Sequence, residues 1–249
     1  MRKEQRYIIP EWPTPPAIKC FSSTRVNGHS QQPFGSFNLA THVGDVHETV
    51  HKNREQLCQD WALQQPPKWL NQQHSTNCLN LDQDPDQDTR SIIADATTSR
   101  RHNTVCIVMT ADCLPILLCN DTGTEVAAIH AGWRGLAAGI IDQTLQQCHS
   151  PTETLMAWLG PAISASEFTI NADIKHCFTK KSPLYEKGFY QQHHDIKANL
   201  YELATINLKL LGVTRIFGGD HCTYNDEKRF FSYRRERKTG RMATAIWIS

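Results

Sequence analysis

Long apolar runs are missing from this sequence, and so is any imbalance of charge. No stretch of the 249 residues approaches the run of about 18 apolar residues that indicates a membrane-spanning helix. Residues 1–16 carry early charges but no apolar core of a secretory signal, so we expect no such signal. The 26 Lys and Arg nearly balance the 25 Asp and Glu, for a net charge of +1. We therefore expect a cytoplasmic protein with no membrane or nucleic-acid partner, since no chain-wide field attracts either one.

Three motifs of metal and nucleotide sites are also absent. The nine cysteines include no Cys-x-x-Cys pair, and their odd number fits a disulfide framework or a four-cysteine zinc site badly. No His-x-His pair occurs, which argues against the four-copper chemistry of multicopper oxidases. The glycine turn around Gly132 lacks the Lys-Ser/Thr pair of a P-loop. Most of the cysteines are therefore expected to be small buried residues in a reducing compartment.

Length and composition predict one mixed α/β (α+β) domain over residues 1–249, with an irregular N-terminal arm at 1–16. Hydrophobic residues make up 39% of the chain and charged residues 20%, which is typical of a protein with a packed core. Helices are predicted over 45–62, 134–147 and 200–211, the first of them capped by Asp45. Apolar runs predict strands over 17–23, 104–110, 114–119, 125–130, 155–159, 213–217, 230–233 and 242–248.

Two histidines and a cysteine stand where predicted strands end. His74 follows an apolar-to-polar transition, Cys113 separates two apolar runs, and His130 ends a third. Strand ends gather at one edge of a sheet, so residues distant in sequence can meet there. Three nitrogen and sulfur ligands with an open fourth position are the pattern of a catalytic zinc site, in which the ion acts as a Lewis acid or lowers the pKa of water to about 7. Spacing alone also allows an alternative without a metal, in which one histidine is a hydrogen-bonded core residue and the other two residues have no shared role.

The segment from His130 to Gly135 has the features of an anion site. Gly132 permits close backbone approach at a turn from strand to helix, the first N–H groups of the helix point at an anion, and Arg134 adds positive charge. These features fit a phosphate or a carboxylate, and the alternative is a tight turn with a surface arginine. A basic segment at 228–241 is by default a solvated strand edge, and the sharper interpretation turns one or two of its arginines inward to bind phosphate.

Ten short segments follow one another along the chain in a characteristic order. They are Phe34–Leu39, His42–Asp45, Asn53-Arg54, Gln73-His74, Ala111–Pro115, His130–Gly135, Gly160–Ile163, Cys222–Tyr224, Phe231–Arg235 and Thr239–Met242. Together they resemble the successive signatures of the laccase-domain family, and above all its bacterial YfiH-type members. The resemblance extends from about Cys20 to the C-terminus. This family was once described as multicopper polyphenol oxidoreductase and is now mostly described as purine nucleoside phosphorylase.

The resemblance implies a fold, a metal and an activity. The implied fold is an α/β/β/α sandwich, and the implied metal is zinc, held by His74, Cys113 and His130 as ligands and catalytic residues, with copper the less favoured metal. The implied activity is phosphorolysis of adenosine, inosine, guanosine and methylthioadenosine, with adenosine deaminase activity besides. The expected partners are therefore purine nucleosides and phosphate, and the oligomeric state is left open.

Two segments depart from the family's pattern. The chain has Gln72-Gln73-His74 where the family often has Gln-Val-His. The usual Ile-Gly-Pro and Glu-Val-Gly are Ile163-Ser164-Ala165 and Thr169-Ile170-Asn171. The zinc ligands survive both changes, and the second change is expected to bear on the shape of the pocket or its substrate range.

Phosphorolysis requires cationic donors around a phosphate dianion beside C1′ of the ribose. We expect Arg25, which precedes a flexible loop, and Arg134 to supply them. Ser36 and Asn38 are expected to add neutral hydrogen bonds to phosphate or ribose. Further candidates near the C-terminus are Arg234, Arg235 and Arg241.

Two residues are predicted to support the metal ligands from behind. They are His42 and Asp112, because a metal-bound histidine commonly needs an acceptor for its other ring nitrogen. The alternative for both is a helix-cap or packing role.

Three other functions stay open on the sequence. Copper bound adventitiously at the His/Cys site would give weak polyphenol oxidase activity. A cysteine hydrolase would use Cys113 as its nucleophile and His130 as its base. The third function is a binding or envelope-maintenance role in editing peptidoglycan precursors, to which some bacterial relatives are linked. Metal content separates the cysteine hydrolase from the zinc enzyme, because a zinc thiolate is blunted whereas a free nucleophilic cysteine is alkylated readily.

Overall fold

The computed structural model describes residues 5–83 and 88–249, which form strands, helices and short 3-10 turns. The strands are β1 Tyr7–Ile8, β2 Ile18–Ser23, β3 Cys78–Asn80, β4 Ala96–Ser99, β5 Cys106–Thr110, β6 Leu114–Asn120, β7 Val126–Ala131, β8 Leu155–Leu159, β9 Thr169–Ile170, β10 Phe189–Gln192, β11 Asp195–Ala198, β12 Arg215–Gly218 and β13 Met242–Ile248. The α-helices are α1 His47–Asp60, α2 Trp133–Ala138, α3 Ile140–Gln147, α4 Ala172–Thr179, α5 Leu200–Leu210 and α6 Tyr233–Glu236. The 3-10 turns are Thr89–Ser91, Thr152–Thr154, Ala165–Glu167 and Pro183–Gly188. In these two ranges of the chain, no helix has the length and apolar character to cross a membrane.

Two large sheets carry most of the structure. The first has the strand order β1-β2-β13-β5, and all of its pairs are antiparallel. The second has the order β12-β8-β6-β7-β4-β3, antiparallel in the middle and parallel at both edges. Strands β5, β6, β7 and β13 are buried along their whole length. Because both of their faces are covered, these strands have continuous apolar sequences instead of an alternating pattern.

Three apolar layers order the elements from one side of the molecule to the other. Leu117 and Ile246 belong to the layer between the two large sheets. Ile141 of α3 belongs to a second layer, in which helices cover the outer face of the six-stranded sheet. Leu57 of α1 packs with Phe21 in a third layer, outside the four-stranded sheet. The sequence of layers is helix, sheet, sheet, helix, so the predicted α+β fold class and α/β/β/α sandwich are confirmed.

Three element predictions were wrong in detail. The helix predicted over 134–147 is divided into α2 and α3, because Gly139 adopts φ +103° and ends the first helix. The strand predicted over 230–233 is an irregular buried segment followed by α6, whose N-cap is Ser232. Asp45 does not cap α1, since Val46 occupies that position and the Asp45 carboxylate accepts hydrogen bonds from Ser30 and Asn38 instead.

Several short elements have no counterpart in the sequence predictions. Strand β1 lies inside the segment predicted as an irregular arm, where it pairs with β2; the first four residues of that arm lie outside the described part of the chain. Strands β9, β10 and β11 form a small third sheet. At two to four residues, these strands are too short to show the periodic pattern from which strands are predicted.

One edge of the six-stranded sheet brings three loops together. In β7, His130 pairs with Pro115 of β6, so the residues before β6 lie beside the end of β7. The N–H of His130 also donates to the carbonyl of Asp95 over 2.7 Å, which places the residues before β4 at the same edge. The sheet register therefore fixes the relative positions of the loops that carry the candidate site.

Candidate metal centre and its pocket

His74, Cys113 and His130 converge at this edge of the sheet. Their ligand atoms all lie within 4.8 Å of one another. Cys113 Sγ is 3.5 Å from His74 Nε2, and the two imidazole rings meet edge to face with their centroids 4.8 Å apart. His130 is buried, whereas His74 and Cys113 are half-buried. In the described ranges of the chain, this is the one group of three or more metal-ligating side chains.

Gly132 leaves room for two of these side chains, His74 and Cys113. It lies between β7 and α2, directly after the strand that ends in His130 and Ala131. A Cβ atom on Gly132 would meet His74 Cδ2 at 2.7 Å and Cys113 Sγ at 2.8 Å. Both distances are shorter than side chains tolerate, so the site depends on a residue without a side chain here.

Asp95 lies directly behind two of the three candidate ligands. Its carboxylate is completely buried and accepts a hydrogen bond of 2.7 Å from His130 Nδ1. It also accepts from the backbone N–H of His74 at 3.0 Å and from that of Ser75 at 2.6 Å. Burial acts to raise the pKa of Asp95, but hydrogen bonds from His130 and Ser75 outweigh it and lower the pKa to about 2. The carboxylate is therefore ionised at neutral pH.

The site favours the thiolate form of Cys113 and the protonated form of His130. Burial acts to raise the pKa of the Cys113 thiol, but the charges and hydrogen bonds of His130 and His74 outweigh it, so the pKa is lowered. Burial acts to lower the pKa of His130, but the neighbouring Cys113 thiolate and the Asp95 carboxylate raise it. The thiolate is the form of cysteine that binds metals and attacks electrophiles, so the pair is ready for either chemistry.

The donor set fits a metal such as zinc. One thiolate and two imidazole nitrogens are ligands that zinc commonly takes in catalytic sites, where a fourth position stays open. The absence of a side chain at Gly132 leaves space beside His74 and Cys113, as shown above. The acceptor that holds the Nδ1 proton of His130 is also the arrangement found behind metal-bound histidines.

A cavity of about 500 Å³ opens directly over the three residues. This volume lies in the range of small-molecule sites. Its remaining walls carry both apolar or aromatic side chains and basic side chains. They are formed by His42, Gln72, Met109, Thr110, Ala111, Asp112, Trp133, Arg134, Ile163, Phe168, Leu200, Tyr233, Arg234, Arg237 and Arg241. The cavity thus combines flat apolar surfaces with cationic groups, which suits a ligand with an aromatic ring and an anionic group.

Four arginines line this pocket, and they differ in how firmly they are held. Arg134 is exposed, lies 4.4 Å from the ring of Trp133, and makes no hydrogen bond or ion pair with the described residues. Arg241 donates to the carbonyls of the two residues before it. Arg237 is exposed and lies over the ring of Tyr233. Arg234 donates to the carbonyls of Glu167 and Thr169 at 3.5 Å. Arg134 and Arg237 are therefore the two with the greatest freedom to meet an anion.

The structure places three of the predicted phosphate ligands away from the pocket. Arg25 is buried, stacks on Phe231 and forms an ion pair of 2.8 Å with Glu236. Ser36 accepts a hydrogen bond from the backbone N–H of Gly28. Asn38 is fully buried and accepts from the backbone N–H of Arg241 at 2.9 Å. These contacts hold the loop before α1 against the segment after α6, so they act on the pocket through the backbone that carries Arg241.

His42 and Asp112 both line the pocket, but with different partners. Burial is the main cause that lowers the pKa of His42, and the charge of Arg241 adds to it, so this ring is neutral at neutral pH. The Asp112 carboxylate accepts hydrogen bonds from Thr223 Oγ1 at 2.7 Å and from the backbone N–H of Arg234 at 2.6 Å. Asp112 directly precedes Cys113, so its hydrogen bond connects the loop that carries Cys113 to the start of α6.

Sequence reasoning missed Asp95, which is the acceptor behind His130. The signal was present, since Asp95 stands immediately before β4, in the run Ile-Ile-Ala-Asp-Ala. A charged residue inside an apolar run requires a buried partner. Nothing in the sequence, however, says that the partner is His130, because β4 and β7 are separated by 26 residues, 100 to 125, and only the fold pairs them.

Fold and site together define a class: an α/β/β/α protein with a His-Cys-His centre in a basic, aromatic-lined pocket. The family model described as multi-copper polyphenol oxidoreductase laccase matches residues 19–249. "Purine nucleoside phosphorylase YfiH" of Shigella flexneri is 44% identical over 243 residues, which cover 98% of this chain and 99% of the relative. "Purine nucleoside phosphorylase" of Haemophilus influenzae is 42% identical over 244 residues, covering 97% of this chain and 98% of the relative. A crystal structure of a Neisseria meningitidis protein superimposes with a TM-score of 0.93 at 42% identity, covering 98% of this chain and 99% of that one.

The chain therefore belongs to the laccase-domain family, as its ten sequence segments predict. The prediction of the family is confirmed over nearly the whole chain. So is the fold, because a solved relative shares it at high structural similarity.

Proposed function

We propose that this chain is a zinc-dependent purine nucleoside phosphorylase. Its proposed substrates are phosphate and the nucleosides adenosine, inosine, guanosine and methylthioadenosine, and adenosine deaminase activity is proposed besides. The observation that carries the proposal is the His74–Cys113–His130 cluster in a pocket that also presents free guanidinium groups. The names of full-length relatives at 42% to 44% identity support the phosphorylase class.

The two kinds of pocket wall match the two substrates. Phe168, Tyr233 and Trp133 offer ring surfaces against which a purine can pack, and aromatic faces stabilise such contacts through their area and quadrupole. Arg134 and Arg237 offer guanidinium groups that can bind a phosphate dianion through paired N–H donors. A nucleoside with its base among the rings would have its ribose between the base and the arginines.

The chain's own residues act on phosphorolysis by positioning. Phosphate must lie beside C1′ of the ribose, where positive charge develops as the glycosidic bond lengthens. Arginines that hold phosphate there supply an oriented nucleophile and a counter-charge, an effect that can contribute several kcal/mol. Zinc, when bound by His74, Cys113 and His130, supplies a Lewis acid at the same pocket.

The test combines metal analysis with a nucleoside panel assayed with and without phosphate. We expect close to one zinc per chain and release of base that requires phosphate and yields a ribose phosphate. Cys113→Ala is expected to lose both zinc and activity. Cys148→Ala is the matched control, because Cys148 follows α3 beside Ser150 and Glu125, at the opposite end of β7 from His130. Release of free ribose without phosphate would identify a hydrolase instead, and copper with polyphenol oxidation would identify an oxidase.

A cysteine hydrolase is the second candidate, and one observation favours it. Asp95, His130 and Cys113 are arranged as a carboxylate–imidazole–thiol triad. The carboxylate accepts a hydrogen bond from the imidazole, and the imidazole lowers the pKa of the thiol. Enzymes with a nucleophilic cysteine use such a triad, in which the third group orients the base. Iodoacetamide separates the candidates: as a metal ligand, Cys113 is protected by zinc and is alkylated only after chelation. Rapid alkylation of Cys113 in fully zinc-loaded protein would favour the hydrolase.

A further inference from the structure

We propose that Asp95 is a positioning residue that holds two of the three metal ligands in their binding geometry at once. This inference rests on the proposed function only in taking a metal as the ligand of the centre. It assigns a task to a buried carboxylate that does not line the pocket. Asp95 is fully buried and precedes β4, at the sheet edge where the three loops meet.

The first part of the evidence is how the two carboxylate oxygens divide their partners. Oδ1 accepts from His130 Nδ1 at 2.7 Å and from the backbone N–H of His74 at 3.0 Å. Oδ2 accepts from the backbone N–H groups of Gln73 at 3.2 Å and Ser75 at 2.6 Å, and from Ser75 Oγ at 2.7 Å. One buried group therefore satisfies five donors, and these donors come from the segments that carry two different ligands.

The second part concerns the ring of His130. A proton on Nδ1 that is donated to a carboxylate leaves Nε2 as the nitrogen with a free electron pair. Nε2 is then the atom that can bind a metal beside Cys113 Sγ. The backbone of His130 is fixed from the same residue, because its N–H donates to the Asp95 carbonyl over 2.7 Å. Asp95 thus determines both the tautomer and the orientation of this ligand.

The third part concerns the backbone of His74. His74 has φ +60°, a left-handed conformation that is unfavourable for a residue with a side chain. Three successive N–H groups, at residues 73 to 75, converge on the Asp95 carboxylate and hold this conformation. The reversed backbone at His74 turns its imidazole to within 3.5 Å of Cys113 Sγ. Without the carboxylate, the strained turn has no anion to stabilise it.

The decisive variant is Asp95→Asn, which keeps the size of the side chain and removes one acceptor oxygen. An amide presents one oxygen and one NH2 group, and both sides of Asp95 face donors only. Whichever way the amide turns, either His130 or the 73–75 turn faces an N–H group instead of an acceptor. We expect the dissociation constant for zinc, measured by competition with a chromogenic chelator, to rise about 10- to 100-fold.

Glu125→Gln is the matched control. Glu125 is also a buried carboxylate, 2% exposed, that accepts from two backbone N–H groups, those of His149 and Ser150. It precedes β7, whereas His130 lies near the other end of that strand. We expect Glu125→Gln to lower the melting temperature and leave the zinc affinity unchanged. An equal loss of zinc affinity in both variants, or no loss in Asp95→Asn, would overturn the proposal.

A measurement on the wild-type protein guards against a variant that fails to fold. Long-range proton–nitrogen correlation spectra report which nitrogen of His130 carries the proton. We expect zinc-bound His130 to carry its proton on Nδ1, strongly hydrogen-bonded, and to leave Nε2 without one. A zinc-bound His130 whose proton lies on Nε2 would overturn the proposal. Neither arm measures turnover: a wild type that binds zinc but cleaves no nucleoside would refute the proposed function and leave the role of Asp95 standing.

Discussion

Gly132 determines how closely the backbone can pass the candidate metal ligands His74 and Cys113. Any residue can adopt its φ of −66° and ψ of 160°. An alanine here would therefore be unfavourable only because its methyl group clashes with its neighbours. That methyl would lie 2.7 Å from His74 Cδ2 and 2.8 Å from Cys113 Sγ. We predict that Gly132→Ala weakens zinc binding by at least about tenfold, equivalent to about 1.4 kcal/mol, with little change in fold. Zinc stoichiometry and chelator competition measure this.

Gly135→Ala provides the comparison for this variant. Gly135 is buried in α2, only three residues further on, and its Cβ would meet Ile140 at 3.4 Å, an ordinary contact. This variant is expected to bind zinc as the wild type does. Wild-type zinc affinity in Gly132→Ala would show that the ligands move aside without cost.

Arg134 is the arginine with the best access to a bound anion, since it stacks only on Trp133 and is exposed. A charge-assisted hydrogen bond contributes about 1.5 to 3 kcal/mol, so we predict that Arg134→Ala raises the KM for phosphate roughly 10- to 100-fold. Arg134→Lys is expected to be impaired as well, because it keeps the charge but loses the planar pair of donors. Zinc content should stay at the wild-type level in both.

Steady-state kinetics with phosphate varied at saturating nucleoside check this prediction. Arg101→Ala is the control, since Arg101 is also exposed but follows the end of β4 that is distant from Asp95. An unchanged KM for phosphate in Arg134→Ala would assign the anion site to the other pocket arginines.

The break between α2 and α3 orients the first of these helices towards the pocket. Gly139 is both the C-cap of α2 and the N-cap of α3, with φ +103°. We predict that Gly139→Ala destabilises the protein by about 1 to 2 kcal/mol, which lowers the melting temperature by roughly 2 to 8 °C in a chain of this size. Thermal unfolding of this variant and of Gly135→Ala should differ in that direction. Equal melting temperatures would mean that the break does not require the left-handed conformation.

The long central elements could be predicted from sequence because their burial is uniform. Strands β5 to β8 and β13 are covered on both faces, and their apolar runs predicted them within about two residues. The same criterion misassigned Phe230 and Phe231, which are fully buried yet belong to no strand. Aromatic residues in a row indicate burial, and burial alone does not distinguish a strand from an irregular segment.

The candidate metal ligands could be predicted from the sequence, but the residue that holds them from behind could not. Strand ends and the family signatures indicated His74, Cys113 and His130, and the structure brings all three together. Asp95 depends on the pairing of β4 with β7, which no local pattern encodes. Arg25 was expected at the phosphate because it precedes a loop, but its burial beside Glu236 results from contacts across most of the chain.

The apolar layer between the two sheets lies apart from the candidate metal centre, so we expect it to stabilise the molecule with or without a metal. We predict that zinc removal by chelation leaves the far- and near-ultraviolet circular dichroism spectra unchanged and the unfolding transition cooperative. The physical reason is that the three ligands lie at a sheet edge, whereas the core residues lie inside. Loss of the near-ultraviolet signal on chelation would contradict this and make the metal structural.

Leu117→Ala tests the converse, that weakening the core leaves the candidate metal centre intact. Leu117 is fully buried between the sheets, and removing its side chain should cost about 2 to 5 kcal/mol of stability. Zinc stoichiometry of the folded variant should stay at the wild-type level, measured well below its melting temperature.

The distance between the candidate metal ligands along the chain also determines when a metal could first bind. His74 and Cys113 are 39 positions apart, and they approach each other only when β4, β6 and β7 have paired. A nascent or unfolded chain therefore presents no local zinc-binding motif, unlike a zinc finger, whose metal drives its folding. A zinc ion held by these residues would therefore enter a folded protein, and the pocket opens on to His74 and Cys113. Metal loading and occupation of the pocket would then share this opening, so a filled pocket would slow both the arrival and the loss of the ion.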